Sequence, residues 1–97
     1  MVTESIAHNV YFEGNVQSLG LETEKGKATI GVMKKGSYTF STSSPEEMIV
    51  ISGTLNVKLA GSDGFKAYAA GGKFEATAGS SFEVSCEEDV AYLCYYG

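Results

Sequence analysis

Arginine and tryptophan are missing from this 97-residue chain altogether, and histidine and proline occur once each. Without arginine there is no planar two-pronged cation for a carboxylate or a phosphate, so every positive contact must come from seven lysines. With His8 as the only imidazole, a 2-His-1-carboxylate iron site cannot be built. Nor does a Gly-x-Ser-x-Gly turn or a Ser/His/Asp set point to acyl transfer. Cys86 and Cys94 belong to no Cys-x-x-Cys or Cys/His cluster, so no zinc site is expected. Two buried, reduced thiols are expected instead, and a disulfide between them would require their two segments to pair. Positive charge is also scarce. Twelve acidic residues against seven basic ones leave a net charge of −5, which argues against a nucleic-acid polymer as partner but not against a nucleoside or phosphate held locally. The first ten residues lack the basic start and apolar stretch of a signal peptide, and no run reaches transmembrane length. No membrane association and a cytoplasmic location are therefore expected.

Glycine and aromatic residues are plentiful: twelve glycines, six tyrosines and five phenylalanines. Short β-prone runs alternate with turn residues every eight to twelve positions, and no segment keeps a helical period over ten residues or more. The pattern predicts strands over residues 15–19, 27–33, 37–42, 48–52, 54–59, 65–69, 73–77, 81–86 and 90–95. So many short strands in one small domain imply an all-β sandwich or jelly-roll barrel. Residues 1–10 carry no periodicity and are expected to form a loose arm, with the barrel over residues 11–97. His8, in that arm, is expected to be exposed and without a role. Residues 48–51 and 91–96 are apolar at successive positions rather than alternately, so each needs cover on both faces. One face would be the core. The other would be covered by a second copy in a two-fold homodimer, or else by the arm of the same chain.

Chemistry concentrates in residues 36–57, GSYTFSTSSPEEMIVISGTLNV. Gly53 follows Glu46 by seven residues, the skeleton of the first cupin motif. Residues 71–82, GGKFEATAGSSF, carry the spacing of the second. The histidines of metal cupins are absent: Phe40, Ser41, Thr42, Ser43 and Ser44 precede Glu46, and Phe82 falls where the second motif has its histidine. The chain thus resembles a cupin-type jelly-roll β-barrel with its metal site removed. Glu46 and Glu47 are the candidate catalytic residues. On one strand they would face opposite ways, and a carboxylate in a half-apolar barrel could hold ribose hydroxyls or steady an oxocarbenium-like transition state. Tyr38, Phe40, Phe74, Tyr92 and Tyr95 are candidates for stacking on a base, and the hydroxyls of Ser41 and Thr42 for holding ribose or phosphate.

The wording YFEGNVQSLG, GVMKKGSYTFST, PEEMIVISGTLNV and AYLCYY resembles the small single-domain pyrimidine/purine nucleoside phosphorylases over residues 11–96. The resemblance implies a pentosyltransferase that works without a metal or organic cofactor. Inorganic phosphate would be its co-substrate, and purine and pyrimidine nucleosides would give free base and ribose 1-phosphate with broad base tolerance. Members of that family tend to carry arginines where this chain has Tyr95 and Lys27. Lys27 and Lys73 are therefore the candidate phosphate ligands, with Lys34 and Lys35 as further compensators. The rival expectation is a non-catalytic small-molecule-binding or scaffold cupin that has lost the anion site. A barrel mouth plugged by Phe40, Phe82 and Tyr95 would favour it.

Overall fold

Glycine-punctuated runs rich in valine, isoleucine and aromatic residues become antiparallel strands, because side chains that crowd a helix sit easily on a pleated sheet. The computed structural model describes residues 5–96. Among them are ten strands: β1 (His8–Tyr11), β2 (Val16–Thr23), β3 (Gly26–Met33), β4 (Gly36–Ser41), β5 (Glu46–Ser52), β6 (Thr54–Lys58), β7 (Lys66–Ala69), β8 (Lys73–Ala76), β9 (Ser81–Cys86) and β10 (Val90–Tyr96). They form a six-stranded sheet in the order β1-β2-β3-β10-β5-β8 and a four-stranded sheet in the order β4-β9-β6-β7. This is the all-β jelly roll expected. The two sheets enclose one core that includes Val16, Met33, Met48, Val50, Leu55, Val57, Phe74, Phe82, Val84, Val90 and Tyr92.

The expectation of a loose arm is corrected where the chain is described. His8–Tyr11 pairs antiparallel with β2, from His8 with Leu19 to Tyr11 with Val16, and so extends the larger sheet by one edge strand. Residues 1–4 lie outside the described part. The described part of the arm, which pairs with β2 at the sheet edge, does not cross the outer face of the sheet. A short HNVY run has no hydrophobic period to announce it; the partner strand supplies the order. His8 is exposed, with its Nε2 2.9 Å from Gln17 Oε1.

Period-two alternation sorts the strand side chains. On β5, Glu46, Met48 and Val50 face the core, while Glu47, Ile49 and Ile51 face out. On β10, Val90, Tyr92 and Cys94 face in, while Ala91, Leu93 and Tyr95 face out. Two glycines are required by close approach. A Cβ on Gly53, at φ +89°, would lie 2.9 Å from the Asp89 carbonyl oxygen, so the glycine of the first motif serves a tight β5–β6 turn. A Cβ on Gly31 would lie 2.4 Å from Tyr92 Cζ, so the Tyr92 ring rests directly on the β3 backbone.

An aromatic column runs through the barrel. Phe12 packs on Tyr38 at 4.9 Å and on Phe40 at 5.4 Å between ring centres. Phe40 stacks on Phe82 at 5.6 Å, Phe82 meets Phe74 at 5.7 Å, and Phe74 meets Tyr68 at 5.1 Å. Its two ends close the two seams between the sheets, where the edge strands β1 and β4, and β7 and β8, face each other. Phe12 and Glu13 have left-handed φ values of 52° and 57°, in the 3-10 turn that folds Phe12 inward. Phe82 is 3 % exposed, so the position that holds a metal-binding histidine in the second cupin motif is occupied by packed ring.

Candidate functional site

The starting end of β5 meets the finishing end of β10, with Glu46 paired to Tyr96, Glu47 to Tyr95 and Met48 to Cys94. On the other side of β10, Cys94 pairs with Thr29 and Tyr95 with Ala28 of β3. Inward-facing polar groups therefore line up across three strands. Cys94 Sγ donates to Glu46 Oε1 at 3.5 Å, and the Thr29 and Tyr96 hydroxyls lie 3.0 Å apart. Further along the same inner face, Asn9 Nδ2 donates to Ser18 Oγ at 3.2 Å. A barrel interior otherwise built of apolar residues carries these polar groups in one place, which marks it as the candidate site.

Two open clefts meet at this end. One, of about 380 Å³, is lined by Lys25, Pro45, Glu46, Glu47, Glu75, Tyr95 and Tyr96. The other, of about 340 Å³, is lined mainly by residues 5–7, Asn9, Gly20, Glu22, Lys27, Thr29 and Tyr96. Tyr96 borders both; Lys25 accompanies the three glutamates in the first, and Glu22 accompanies Lys27 in the second.

The two glutamates differ in setting as well as in direction. Glu47, on the outer side, has Lys25 Nζ at 3.4 Å and Lys73 Nζ at 3.7 Å. Lys25 also lies over the Tyr95 ring at 4.4 Å. Glu46, on the inner side, makes no salt bridge among the described residues. Burial holds its carboxyl above the usual range, and the hydrogen bond from Cys94 offsets this only partly. The same burial, with Glu46 nearby, pushes the Cys94 thiol up to about 12 and raises Tyr96 as well. Tyr92 is pushed up to about 12, again chiefly by burial.

The remaining candidates fall in several places. Lys27 borders the Tyr96 cleft. Lys73 is on the outer face, paired with Glu47, and Tyr95 points outward with it because it alternates with the inward Cys94 and Tyr96. Tyr95 therefore does not plug the barrel, although Phe40 and Phe82 do. Phe74 is a buried core residue, and Tyr92 is fixed across Gly31. Tyr38 is half-buried, its hydroxyl donating to the Lys34 carbonyl at 2.8 Å, and Lys34 itself lies 3.8 Å from Asp89. Lys35 is exposed, its backbone N–H bound to Asp89 Oδ1. Ser41 is exposed. The expectation for Thr42 is corrected: its hydroxyl is 2.6 Å from the Thr77 carbonyl and 3.2 Å from that of Ser80, and accepts the Ser80 N–H at 3.0 Å. A hydroxyl so committed staples the β8–β9 turn and has little capacity left for a ligand. Thr29 and Cys94 were not among the sequence candidates, and Tyr96 stood there only as one of the aromatic rings available for stacking. Alternation counted back along β10 from Val90 would have put Cys94 and Tyr96 on the inner face.

Both cysteines are buried and free, Cys86 on the smaller sheet and Cys94 on the larger. Among the described residues, no three of His, Cys, Asp and Glu come together as metal ligands, and no helix is long and apolar enough to cross a membrane.

Comparison with known proteins places this geometry in context. The family model described as pyrimidine/purine nucleoside phosphorylase matches residues 6–96. A Magnetococcus marinus protein of that same name is 51 % identical over 89 residues, covering 92 % of this chain and 96 % of the relative. The crystal structure of a Vibrio parahaemolyticus protein of unknown function superposes with a TM-score of 0.89 at 42 % identity, covering 94 % of this chain and 97 % of that one. An RmlC-like cupin from Shewanella frigidimarina superposes with a TM-score of 0.73 at 16 % identity, covering 97 % and 85 %, a likeness of fold alone.

Proposed function

This chain belongs to the pyrimidine/purine nucleoside phosphorylase family, and from that premise we propose that it splits purine and pyrimidine nucleosides with inorganic phosphate, giving free base and ribose 1-phosphate. The observation that carries the reading is the meeting of a carboxyl-lined cleft and a lysine-bearing cleft at Tyr96. Phosphorolysis needs an anion on one side of C1′ and a departing base on the other. Lys27, lining the second cleft, suits the phosphate. Glu46 suits the opposite side, and the rings of Tyr96 and Tyr95 offer every base a flat surface, which fits broad base tolerance. Lysine supplies charge without the bidentate fork of arginine, so a high KM for phosphate is expected. Lys73 is assigned to holding Glu47 rather than phosphate. The reaction needs no metal ion or organic cofactor. The two free buried thiols fit a reducing cytoplasm. The apolar outer face of the larger sheet fits a homodimer.

The test is release of free base from uridine, inosine and adenosine by chelator-treated protein, each with and without phosphate. Release that requires phosphate and survives chelation is expected. Glu46→Gln should lower turnover at least about tenfold, as loss of an acid–base or charge-stabilising group does; unchanged turnover would remove that carboxyl from the mechanism.

The filled barrel supports a second reading. Phe40, Phe82 and Phe74 pack ring against ring inside the barrel, as a scaffold or binding protein would have it. Absence of base release from folded protein, with nucleoside still bound, would favour that reading.

A further inference from the structure

Three carboxyl groups line the cleft beside Tyr96, and they differ in what surrounds them. Glu47 is held between Lys25 and Lys73. Glu75 stands opposite Glu47 across the β5–β8 ladder, on the exposed outer face. Glu46 alone turns inward. Its inward strand neighbour is Met48, and its cross-strand partners are Tyr96 and Ala76. The titratable groups facing it are Cys94, Tyr96 and Tyr92 of β10, each of which holds its proton at neutral pH. From β8 it meets Ala76, and Lys25, which shares the cleft, is engaged by Glu47 and Tyr95. Cys94 occupies Oε1. Among the described residues Oε2 has no hydrogen-bond partner, and Glu46 lines the cleft.

We infer that Glu46 is the proton donor to the departing base, not a charged ligand for the ribose hydroxyls. The inference rests on the phosphorolysis reading and gives one of its residues a specific task. The step balances. The C1′–N bond breaks, and its electron pair goes to the base. A phosphate oxygen bonds to C1′. The Glu46 carboxyl proton passes to a base nitrogen or oxygen. The carboxylate then regains a proton from the hydrogen phosphate, which loses one on becoming the ribose 1-phosphate dianion. No oxidant, reductant or further reactant is needed. The raised affinity of Glu46 for its proton, caused by burial, agrees with the task.

A nucleoside whose base is already cationic separates the two roles, because its base leaves without taking a proton. The experiment compares inosine with 7-methylguanosine, each with phosphate, on wild type and Glu46→Gln. The expected result is a loss of about a hundredfold in kcat/KM for inosine and less than about threefold for 7-methylguanosine in the variant. In wild type, kcat/KM for inosine should fall on an alkaline limb as Glu46 ionises, and that limb should be absent with 7-methylguanosine. This comparison of pH profiles needs no variant and stands even if Glu46→Gln fails to fold. Equal losses on both substrates, or the same alkaline limb for both, would overturn the acid role while leaving phosphorolysis intact. Wild type that cleaves neither nucleoside would bring down the phosphorolysis reading and the inference together.

Discussion

At the scale of the residue, Glu46 is held at odds with its surroundings: a carboxyl that ionises readily in water is kept where ionisation is costly. Its ordinary value near 4.5 is raised by burial, so the folded chain retains a proton there at pH values at which the unfolded chain has lost it. The stability associated with Glu46 is therefore greatest below the unfolded value and is lost as pH rises through the folded one. Glutamine has no charge to bury. Glu46→Gln is expected to melt a few degrees above wild type at neutral pH, with the gain vanishing as pH falls below about 4. Thermal melts of both proteins across that range check it; a gain that grows on acidification would mean that Glu46 is held as an anion. A variant that gains stability while losing turnover would mark this position as one where the fold gives way to chemistry. Glu47 presents the opposite case. Its lysines are about two-thirds exposed, so that cluster contributes little to stability.

At the scale of the element, β3 and β10 are locked by the Tyr92 ring on Gly31. Gly31→Ala should cost about 1–3 kcal/mol, because the new methyl group meets an aromatic ring with no free side to move toward. Urea titration should also find the cost much reduced when Tyr92 is leucine, and simple additivity of the two changes would mean that the clash relaxes elsewhere. Elements of this kind were largely legible in the sequence. Glycine turns and β-branched runs marked nine of the ten strands, and the adjacent pair Glu46-Glu47 announced opposite faces by alternation alone. β1 was not legible, because HNVY owes its extended form to β2. The site was legible only in part. Glu46 and Lys27 stood out by chemistry, but Tyr96, Thr29 and Cys94 join them only through the register of β10 against strands 50 and 67 residues away in sequence.

At the scale of the whole molecule, the outer face of the larger sheet is the least satisfied surface. Val10, Leu19, Ile30, Val32 and Ile51 are all exposed there, with Ile49 and Leu93 half-buried between them. The described part of the arm lies beside this face, not across it. Contiguous apolar area on a small acidic protein marks a contact surface, and a face that packs on its own copy about a two-fold axis needs no other partner. Wild type is expected to sediment at twice the 10.3 kDa chain mass. Val32→Glu, at a position 53 % exposed in the single chain, should convert it to a monomer without loss of fold. A wild type that sediments as a monomer would leave the face to a different partner.

The place of β10 between β3 and β5 bears on how the molecule is made. Without β10 the larger sheet would be two separate pieces, β1-β2-β3 and β5-β8, that share no strand pairing. Each piece would then present an unpaired edge, β3 or β5, open to pairing with another chain. The strand that carries Cys94 and Tyr96 to the site is also the one that covers those two edges, so the same residues join the halves of the sheet and complete the chemistry.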